Sequence, residues 1–291
     1  MVGQSLLVRL NQQGYMAQGA CNVHAFSRTP GAHISQGGVR WWGLRAIVQQ
    51  QPTGPVTQWI CLAPIWTLHE HFDLMQRSGA RRIVALSSTS RFTKQFGASS
   101  DDPGEHALAQ KLAASETQFT QWAEEHNIDW VILRPTLIYS LGRDKNLTEI
   151  ARFIRRFRFF PVLGAASGLR QPIHVDDVAD ASIAAVGSKA AARREYNISG
   201  AEILTYKEMV TRVFLAQNVR PRFIAVPMLG FRLAVTTARF FRRYRSWSFA
   251  MAERMNRDLV FDHSNATHDF HFSPRPFKVD VADSNAKPFR G

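Results

Sequence analysis

Residues 82–90 read RIVALSSTS, and residues 129–139 read DWVILRPTLIY. Both stretches open with a run that is apolar at successive positions, and the runs stop at small hydroxyl residues or at Arg134 and Pro135. Runs that are apolar on both faces are typical of parallel strands buried between two layers of helices. The two stretches therefore predict central strands of an α/β sheet.

The segments on either side alternate between strand and helix patterns. Further strands are predicted at residues 22–27, 39–42, 58–62, 172–175 and 196–199. Helices are predicted at residues 5–12, 66–78, 103–126 and 146–159. Asp176 or Asp177 is expected to cap a helix that runs through Ala185, and Thr205 with Glu208 predicts a capping box. The alternation predicts a Rossmann-type, doubly wound parallel sheet followed by a smaller, mostly helical region.

The composition is that of an ordinary globular protein, with 45% hydrophobic and 20% charged residues among 291. Only two cysteines are present, Cys21 and Cys61, which argues against a disulfide framework and favours a reducing cytoplasm. No histidine or carboxylate cluster has metal-ligand spacing, so no metal site is expected. The first residues do not resemble a signal peptide, and no apolar stretch reaches the roughly 18 residues of a membrane span.

The formal net charge of +13 comes mainly from arginine. Two arginine clusters are interleaved with phenylalanines: Arg152, Arg155, Arg156 and Arg158, and then Arg239, Arg242, Arg243 and Arg245. One interpretation is a surface for phosphates, an anionic membrane or nucleic acid. The other, favoured by the spacing, is a pair of amphipathic helices with arginines in water. Because no nucleic-acid-binding motif accompanies the charge, a nucleic-acid partner is not expected.

Four segments together resemble the extended and atypical short-chain dehydrogenases, the group that includes the NAD-dependent epimerases and dehydratases. They are residues 87–90 at a strand end, the helix around Lys111, residues 133–139 (LRPTLIY) and residues 174–179 (HVDDVA). The resemblance implies a dinucleotide-binding core in residues 1–140 and 173–200. It also implies a substrate and C-terminal region in residues 141–172 and 201–291.

The family resemblance implies a first strand and a glycine-rich turn, where the N-terminus of a helix meets the cofactor pyrophosphate. Gly3 stands where the last glycine of that turn would be, and the strand and the two earlier glycines are absent from the sequence. Either the natural reading frame begins further upstream, or the protein is a degenerate relative that no longer binds a dinucleotide. The first is favoured, since a missing central strand leaves backbone groups unpaired at about 1–3 kcal/mol each.

Arg28 follows the second strand of the family pattern, where the residue that reads the adenosine ribose is expected. A guanidinium there can bind a 2′-phosphate, so the resemblance implies NADP rather than NAD. The chain could also bind neither, since the first strand and glycines of the family pattern are absent from the sequence. The alternative is that Arg28 is a solvated arginine at a strand end and does not bind the cofactor. The cofactor contacts implied by the resemblance are Gly3, Ser27, Arg28, Ala63, Pro64, Ser88, Lys111, Pro135, Leu137 and Ile138.

In the enzymes that this chain resembles, a Ser or Thr, a Tyr and a Lys four residues after the Tyr carry out proton transfer. Lys111 fits the lysine and Thr89 (or Ser88) fits the hydroxyl, but Ala107 stands at the tyrosine position. Tyr139 and His174 are the remaining candidate acids or bases. The alternative for Tyr139 is a structural aromatic, and the alternative for His174, which is favoured, is packing beneath the Asp-capped helix.

Two functions remain open from the sequence. The first is an NAD(P)-binding epimerase or reductase of unknown substrate, and the second is a non-catalytic NADP(H) sensor or an accessory, structural subunit. The substrate segments are expected at residues 142–146 and 169–171, which are basic enough for an anionic small molecule. A membrane-surface partner rests on the arginine clusters alone.

Overall fold

The computed structural model describes residues 1–15, 23–28, 38–44, 54–93, 103–226 and 254–279. The helices are α1 (Val2–Gln12), α2 (Phe72–Arg77), α3 (Ser90–Thr93), α4 (Pro103–Glu125), α5 (Asn146–Phe157), α6 (Val175–Gly187), α7 (Tyr206–Ala216) and α8 (Ser264–Phe270). The longer strands are β1 (Val23–Ser27), β2 (Val39–Gly43), β3 (Gln58–Cys61), β4 (Arg82–Leu86), β5 (Asp129–Pro135), β7 (Phe160–Leu163), β10 (Arg194–Ile198) and β12 (Phe223–Val226). Two-residue strands are β6 (Ile138–Tyr139), β8 (Leu169–Arg170), β9 (Ile173–His174) and β11 (Leu204–Thr205).

The main sheet has four parallel strands in the order β10-β5-β4-β3. Successive residues of β4 point to opposite sides. Ile83 and Ala85 join the core beneath α4, whereas Val84 and Leu86 join the core beneath α6. A sheet covered on both faces needs apolar residues at every position, which is the pattern of RIVAL. The prediction of a Rossmann-type doubly wound sheet is confirmed.

Strands β1 and β2 pair with each other in parallel and form a separate two-stranded sheet. The Phe26 ring of β1 stacks on the Trp59 ring of β3, with centroids 5.0 Å apart, yet the two strands are not hydrogen-bonded partners. In a doubly wound sheet the order 3-2-1-4-5-6 puts the first strand between these neighbours. The two sheets therefore flank the position that the first strand occupies in that order.

Each face of the main sheet carries its own helix layer. Helices α2 and α4 cover one face together with a 3₁₀ helix at Ile65–His71. Helix α6 lies on the other face with α1 and α8 packed beside it. A third core lies outside the sheet, where α5, α7 and β7 enclose apolar residues such as Ile154, Phe160 and Phe214.

The described elements mostly agree with those expected from the sequence, and the two main differences are the cap of α6 and the helix at residues 66–78. Helix α6 begins two or three residues earlier than expected and is capped by His174, whose ring accepts from the Asp176 N–H, so neither Asp176 nor Asp177 is its N-cap. The helix expected at residues 66–78 is a 3₁₀ helix followed by α2. The arginine cluster at Arg239–Arg245 lies outside the described residues. The capping box of Thr205 and Glu208 is confirmed at α7.

Candidate functional site

The start of α1 meets the carboxyl end of β3, which lies beside the carboxyl ends of β4 and β5 in the main sheet. A Cβ added to Gly3 would lie 3.6 Å from Leu62 Cδ1, so the first turn of α1 touches the residue that follows β3. That distance is an ordinary contact, and the packing alone does not require glycine. Ala63 and Pro64, next along the chain, are exposed. Parallel α/β sheets bind their ligands at this edge, beside the N-terminus of the first helix.

The hydroxyl residues after β4 are largely engaged by the protein itself. Thr89 is buried, and its Oγ1 donates to the Pro135 carbonyl at 3.2 Å. The Ser88 hydroxyl accepts from the Ser90 N–H at 3.1 Å. The Thr89 bond fastens the chain after β4 to the end of β5, whereas the Ser88 bond is local to the turn before α3. A hydroxyl that donates to a backbone carbonyl must exchange that bond before it can orient a substrate oxygen.

Helix α4 presents different residues to the sheet and to solvent. Leu112 and Glu116 are buried and lie one turn apart on its inner face. Lys111 lies about 140° around the helix from Glu116, at 100° per residue. It is exposed, and its Nζ is 5.1 Å from the centroid of the Trp66 ring. Ala107, one turn earlier on the same outer face, is also exposed.

Glu116 is the centre of a buried ionic network that sequence reasoning missed. Both of its carboxylate oxygens accept from Arg134, at 3.0 and 2.6 Å, and it also accepts from Ser87 at 2.5 Å and from Arg91. Burial lowers the pKa of Arg134, but hydrogen bonds and charges from Glu116 and Glu195 outweigh burial and raise it. The signal in the sequence was a carboxylate on the apolar face of a helix, at i+4 from Leu112.

Tyr139 lies in the third core rather than at the open edge of the sheet. It is buried, and its ring makes edge contacts with His174 at 5.1 Å and Phe277 at 4.8 Å between centroids. Its hydroxyl accepts from the Lys278 N–H at 3.3 Å. The neighbouring residues Leu137 and Ile138 are expected from the sequence to contact the cofactor. Ile138 of β6 pairs with Ile173 of β9, and the Leu137 carbonyl accepts from the Ile173 N–H.

Ser27 is the last residue of β1, and Arg28 follows it. Strand β1 belongs to the two-stranded sheet and not to the main sheet. Ser27 is the last residue paired with β2, opposite Gly43, and its carbonyl accepts from the Leu44 N–H at 2.9 Å. Arg28 follows immediately and is exposed. Its guanidinium is therefore accessible at the carboxyl end of a parallel strand.

The two expected substrate segments have different environments. In the first, buried Asp144 accepts from the Leu147 N–H at 2.6 Å and so orders the loop before α5, while burial raises its pKa. In the second, Arg170 is buried and donates to the carbonyls of Leu169, Arg254 and Arg257. Burial lowers the pKa of Arg170 to about 10.

A serine–histidine contact lies at the end of β10. Ser199 is buried, its Oγ is 2.6 Å from His263 Nδ1, and it also bonds the Phe261 carbonyl at 2.8 Å. Burial lowers the pKa of His263, which favours the neutral ring. The pair ties the C-terminal segment to the sheet. The two residues are 64 positions apart, and no local pattern could have predicted their contact.

Neither a metal site nor a membrane span is found in the described part of the chain. Among those residues, no group of three histidine, cysteine or carboxylate side chains could hold a metal ion. No described helix is both long enough and apolar enough to span a membrane.

Residues 70–199 match the family model described as NAD dependent epimerase/dehydratase family. In this region the chain is similar to the NAD dependent epimerase/dehydratase family. The epimerase/dehydratase-like region contains the ends of β4 and β5, helix α4 and the cap of α6, which are the segments that carried the resemblance in the sequence.

Solved epimerase structures share the fold over nearly the whole chain. The UDP-glucose 4-epimerase of Thermotoga maritima is 11% identical with a TM-score of 0.64, and covers 98% of this chain and 92% of its own. An epimerase of Methanothermobacter thermautotrophicus is 13% identical with a TM-score of 0.66, at 98% and 88% coverage. At these identities the likeness concerns the fold.

Two curated relatives are similar in sequence. The uncharacterized protein y4nG of Sinorhizobium fredii is 28% identical over 180 residues, which are 60% of this chain and 42% of the relative. The mitochondrial NADH dehydrogenase [ubiquinone] 1 alpha subcomplex subunit 9 of Arabidopsis thaliana is 26% identical over 153 residues, 52% of this chain and 35% of that subunit. The chain thus matches about two fifths or less of the length of these relatives.

Proposed function

We propose that the protein is an NAD(P)-binding, epimerase- or reductase-like member of the atypical short-chain dehydrogenases. The observation that carries this proposal is the meeting of α1 with the end of β3, where a Cβ added to Gly3 would lie 3.6 Å from Leu62 Cδ1. The N-terminus of α1 has no side-chain cap, so its first N–H groups are available to an anion. A pyrophosphate at that end would also lie near Arg143. Burial lowers the pKa of the Met1 amino group, and the positive charge of Arg143 lowers it further.

We propose further that NADP is preferred over NAD. The support is the exposed guanidinium of Arg28 at the end of β1, where a 2′-phosphate would gain charge-assisted hydrogen bonds. Ser88, Ala63, Pro64, Pro135, Leu137 and Ile138 complete the proposed contact set, with Ser27 beside Arg28. The proposed substrate is an anionic small molecule bound by the region formed from residues 141–172 and 201–291.

A second candidate function is a non-catalytic NADP(H)-binding sensor or an accessory, structural subunit. Two observations favour it. Ala107 and Lys111 both lie on the exposed face of α4, and the Thr89 hydroxyl donates to a backbone carbonyl. One curated relative is itself named as a subunit of an NADH dehydrogenase subcomplex. If the protein is an enzyme, Thr89, Lys111 and Tyr139 remain its proposed acid–base set.

We also propose a cytoplasmic, reducing environment. The support is Cys61, a free cysteine whose burial raises the thiol pKa to about 12 and so keeps the thiol protonated and unreactive. Such a thiol fits a compartment that does not use disulfides.

Titration of intrinsic tryptophan fluorescence with NADPH and with NADH tests the cofactor proposal. NADPH should bind more tightly, and Arg28→Ala should weaken NADPH by about tenfold or more while leaving NADH unchanged. The matched control is Arg81→Ala. Arg81 is an exposed arginine just before the amino end of β4, and the cofactor is proposed to bind at the carboxyl ends of the strands. Equal affinity for both nucleotides would refute the NADP preference, and binding of neither would refute the cofactor proposal for this chain.

A further inference from the structure

A segment near the C-terminus packs on the third core without joining a helix or a sheet. Residues 273–279 (SPRPFKV), which we call the C-terminal strap, form neither helix nor strand. Pro274 and Pro276 have no N–H to donate to a neighbouring strand. Each hydrogen bond of residues 273–277 in the described structure has a side chain as one partner. The strap is therefore held by individual side chains rather than by a backbone ladder.

The strap covers one side of Tyr139. The Phe277 ring makes an edge contact with the Tyr139 ring at 4.8 Å between centroids, and the Lys278 N–H donates to the Tyr139 hydroxyl at 3.3 Å. Glu202 accepts from the Phe277 N–H at 3.0 Å, and Arg212 donates to the Phe277 carbonyl at 2.8 Å. With the strap in this position Tyr139 is 2% exposed. An acid or base must come within hydrogen-bond distance of its substrate, so the strap in this position blocks that use of the hydroxyl.

Arg275 anchors the strap to the first turn of α6. Its Nε donates to Asp177 Oδ1 at 2.7 Å, and its backbone N–H donates to Asp177 Oδ2 at 3.0 Å. Its Nη1 donates to Asp176 Oδ2 at 3.3 Å. Burial lowers the pKa of Arg275, but the hydrogen bond to Asp177 and the charges of Asp177, Asp176 and Asp180 outweigh burial and raise it. The anchor is thus a contact between full charges.

The neighbouring carboxylate is shared with α1. Arg9 Nη2 lies 3.3 Å from Asp176 Oδ2, the same distance at which Arg275 Nη1 lies from that oxygen. Arg9 Nε also lies 3.4 Å from Asp180 Oδ1. Arg9 therefore places an equal charge beside the same carboxylates but belongs to a different element. This makes Arg9 a matched control for Arg275.

We propose that the C-terminal strap is a lid over Tyr139, and that the contact between Arg275 and Asp177 keeps it closed. Opening the lid breaks side-chain contacts of the strap and leaves the main sheet and its helix layers in place. Local openings of this kind occur in segments that few bonds hold. The consequence for chemistry rests on the proposed acid–base role of Tyr139, since a substrate would reach the hydroxyl only in the open state.

Nitration of tyrosine by tetranitromethane, located by mass spectrometry of peptides, tests the proposal without cofactor or substrate. Tyr206 is the internal reference, because it is buried in the same core and its ring faces Phe160 rather than the strap. Urea below the unfolding transition should leave the nitration rate of Tyr139 nearly unchanged, because a local opening exposes little surface. The rate of Tyr206 should instead follow global unfolding. Rates that rise together in urea would overturn the proposal.

Variants of the anchor test what keeps the lid closed. Arg275→Gln should raise the nitration rate of Tyr139 by about tenfold, because hydrogen bonds between charged groups are lost. Asp177→Asn acts on the same contact, so the double variant should show no larger rise than the stronger single variant. Arg9→Gln should leave the Tyr139 rate unchanged, and the Tyr206 rate should stay at its parent value throughout. No rise in Arg275→Gln, an equal rise in Arg9→Gln, or a joint rise of Tyr206 would overturn the proposal.

Titration of the same variants with NADPH separates the lid from the proposed function. If NADPH fails to bind while Arg275→Gln exposes Tyr139, the cofactor proposal is refuted and the lid is supported. If NADPH binds while the Tyr139 rate does not respond to Arg275→Gln, the lid alone is refuted.

Discussion

Glu116 has a carboxylate with only 2% of its side chain exposed, beneath the ends of β4 and β5. Charges buried to this extent persist when every lone pair has a donor, and here Arg134, Arg91 and Ser87 supply the donors. The network connects α4 to the strand ends at which the cofactor is proposed to bind. Glu116 is thus a positioning residue for that edge of the sheet.

Replacing Glu116 with Gln should destabilise the protein by about 3 kcal/mol, because Arg134 would keep a buried charge without its bidentate partner. The free energy of unfolding in urea measures the effect. The control is Glu149→Gln, which breaks an exposed pair with Arg152 and should cost no more than about 0.5 kcal/mol. Equal costs for the two variants would contradict the buried network.

The Asp176 carboxyl provides a prediction about acid stability. Burial raises its pKa, but a hydrogen bond from Ser5 and the charges of His174, Arg275 and Arg9 outweigh burial and lower it below 3.8. A carboxyl with a lowered folded-state pKa stabilises the fold above its unfolded pKa, and this stabilisation is lost as the pH falls through the folded value.

Asp176→Asn should therefore be less stable than the parent at neutral pH. The difference between the two proteins should shrink as the pH falls below 3.8. Urea unfolding at a series of pH values gives both curves. A difference that stays constant across the acidic range would show that the carboxylate charge does not contribute.

Among the helices, the start of α7 is explained by hydrogen bonds between residues that are close in the sequence. The Thr205 Oγ1 accepts from the Glu208 N–H at 3.1 Å, while the Glu208 carboxylate accepts from the Thr205 N–H at 2.7 Å. Thr205→Ala should cost about 1 kcal/mol in the free energy of unfolding. Thr211→Ala is the matched control, since that hydroxyl bonds only the Lys207 carbonyl within the helix. A Thr211→Ala cost equal to that of Thr205→Ala would mean that the capping box adds nothing.

Features that depend on residues close together in the sequence could be predicted, whereas features that depend on tertiary packing could not. The runs RIVAL and DWVIL and the capping box follow from period and side-chain type, and the structure has them as β4, β5 and the start of α7. The cap of α6 was misassigned because His174 lies two residues before a pair of carboxylates, Asp176 and Asp177, which are the more common type of cap. The Ser199–His263 contact depends on tertiary packing across 64 residues. The exposure of Lys111 follows from the rotation of α4 about its axis, which the isolated motif does not specify.

For the whole molecule, the separation of β1 and β2 from the main sheet is the largest departure from a continuous doubly wound sheet. Two-stranded sheets are marginally stable by themselves, whereas four strands covered on both faces form a cooperative core. The stacked rings of Phe26 and Trp59 form a side-chain contact between β1 and β3, which share no backbone hydrogen bonds. Ser27 is the last residue of β1 and Arg28 follows it, so the proposed ribose site depends on the less stable two-stranded sheet of β1 and β2.

Amide hydrogen exchange should reveal this difference directly. Residues 23–27 and 39–43 should exchange faster than residues 82–86 and 129–135, because β1 and β2 can open without disturbing the main sheet. Strand β3 is the internal control. Like β1 it has one hydrogen-bonded neighbour, but it belongs to the four-stranded sheet and should be better protected. Equal protection of β1 and β3 would mean that the two sheets open as one unit. NADPH, if it binds through Ser27 and Arg28, should slow exchange in β1 more than in β3, which couples cofactor binding to the stability of the smaller sheet.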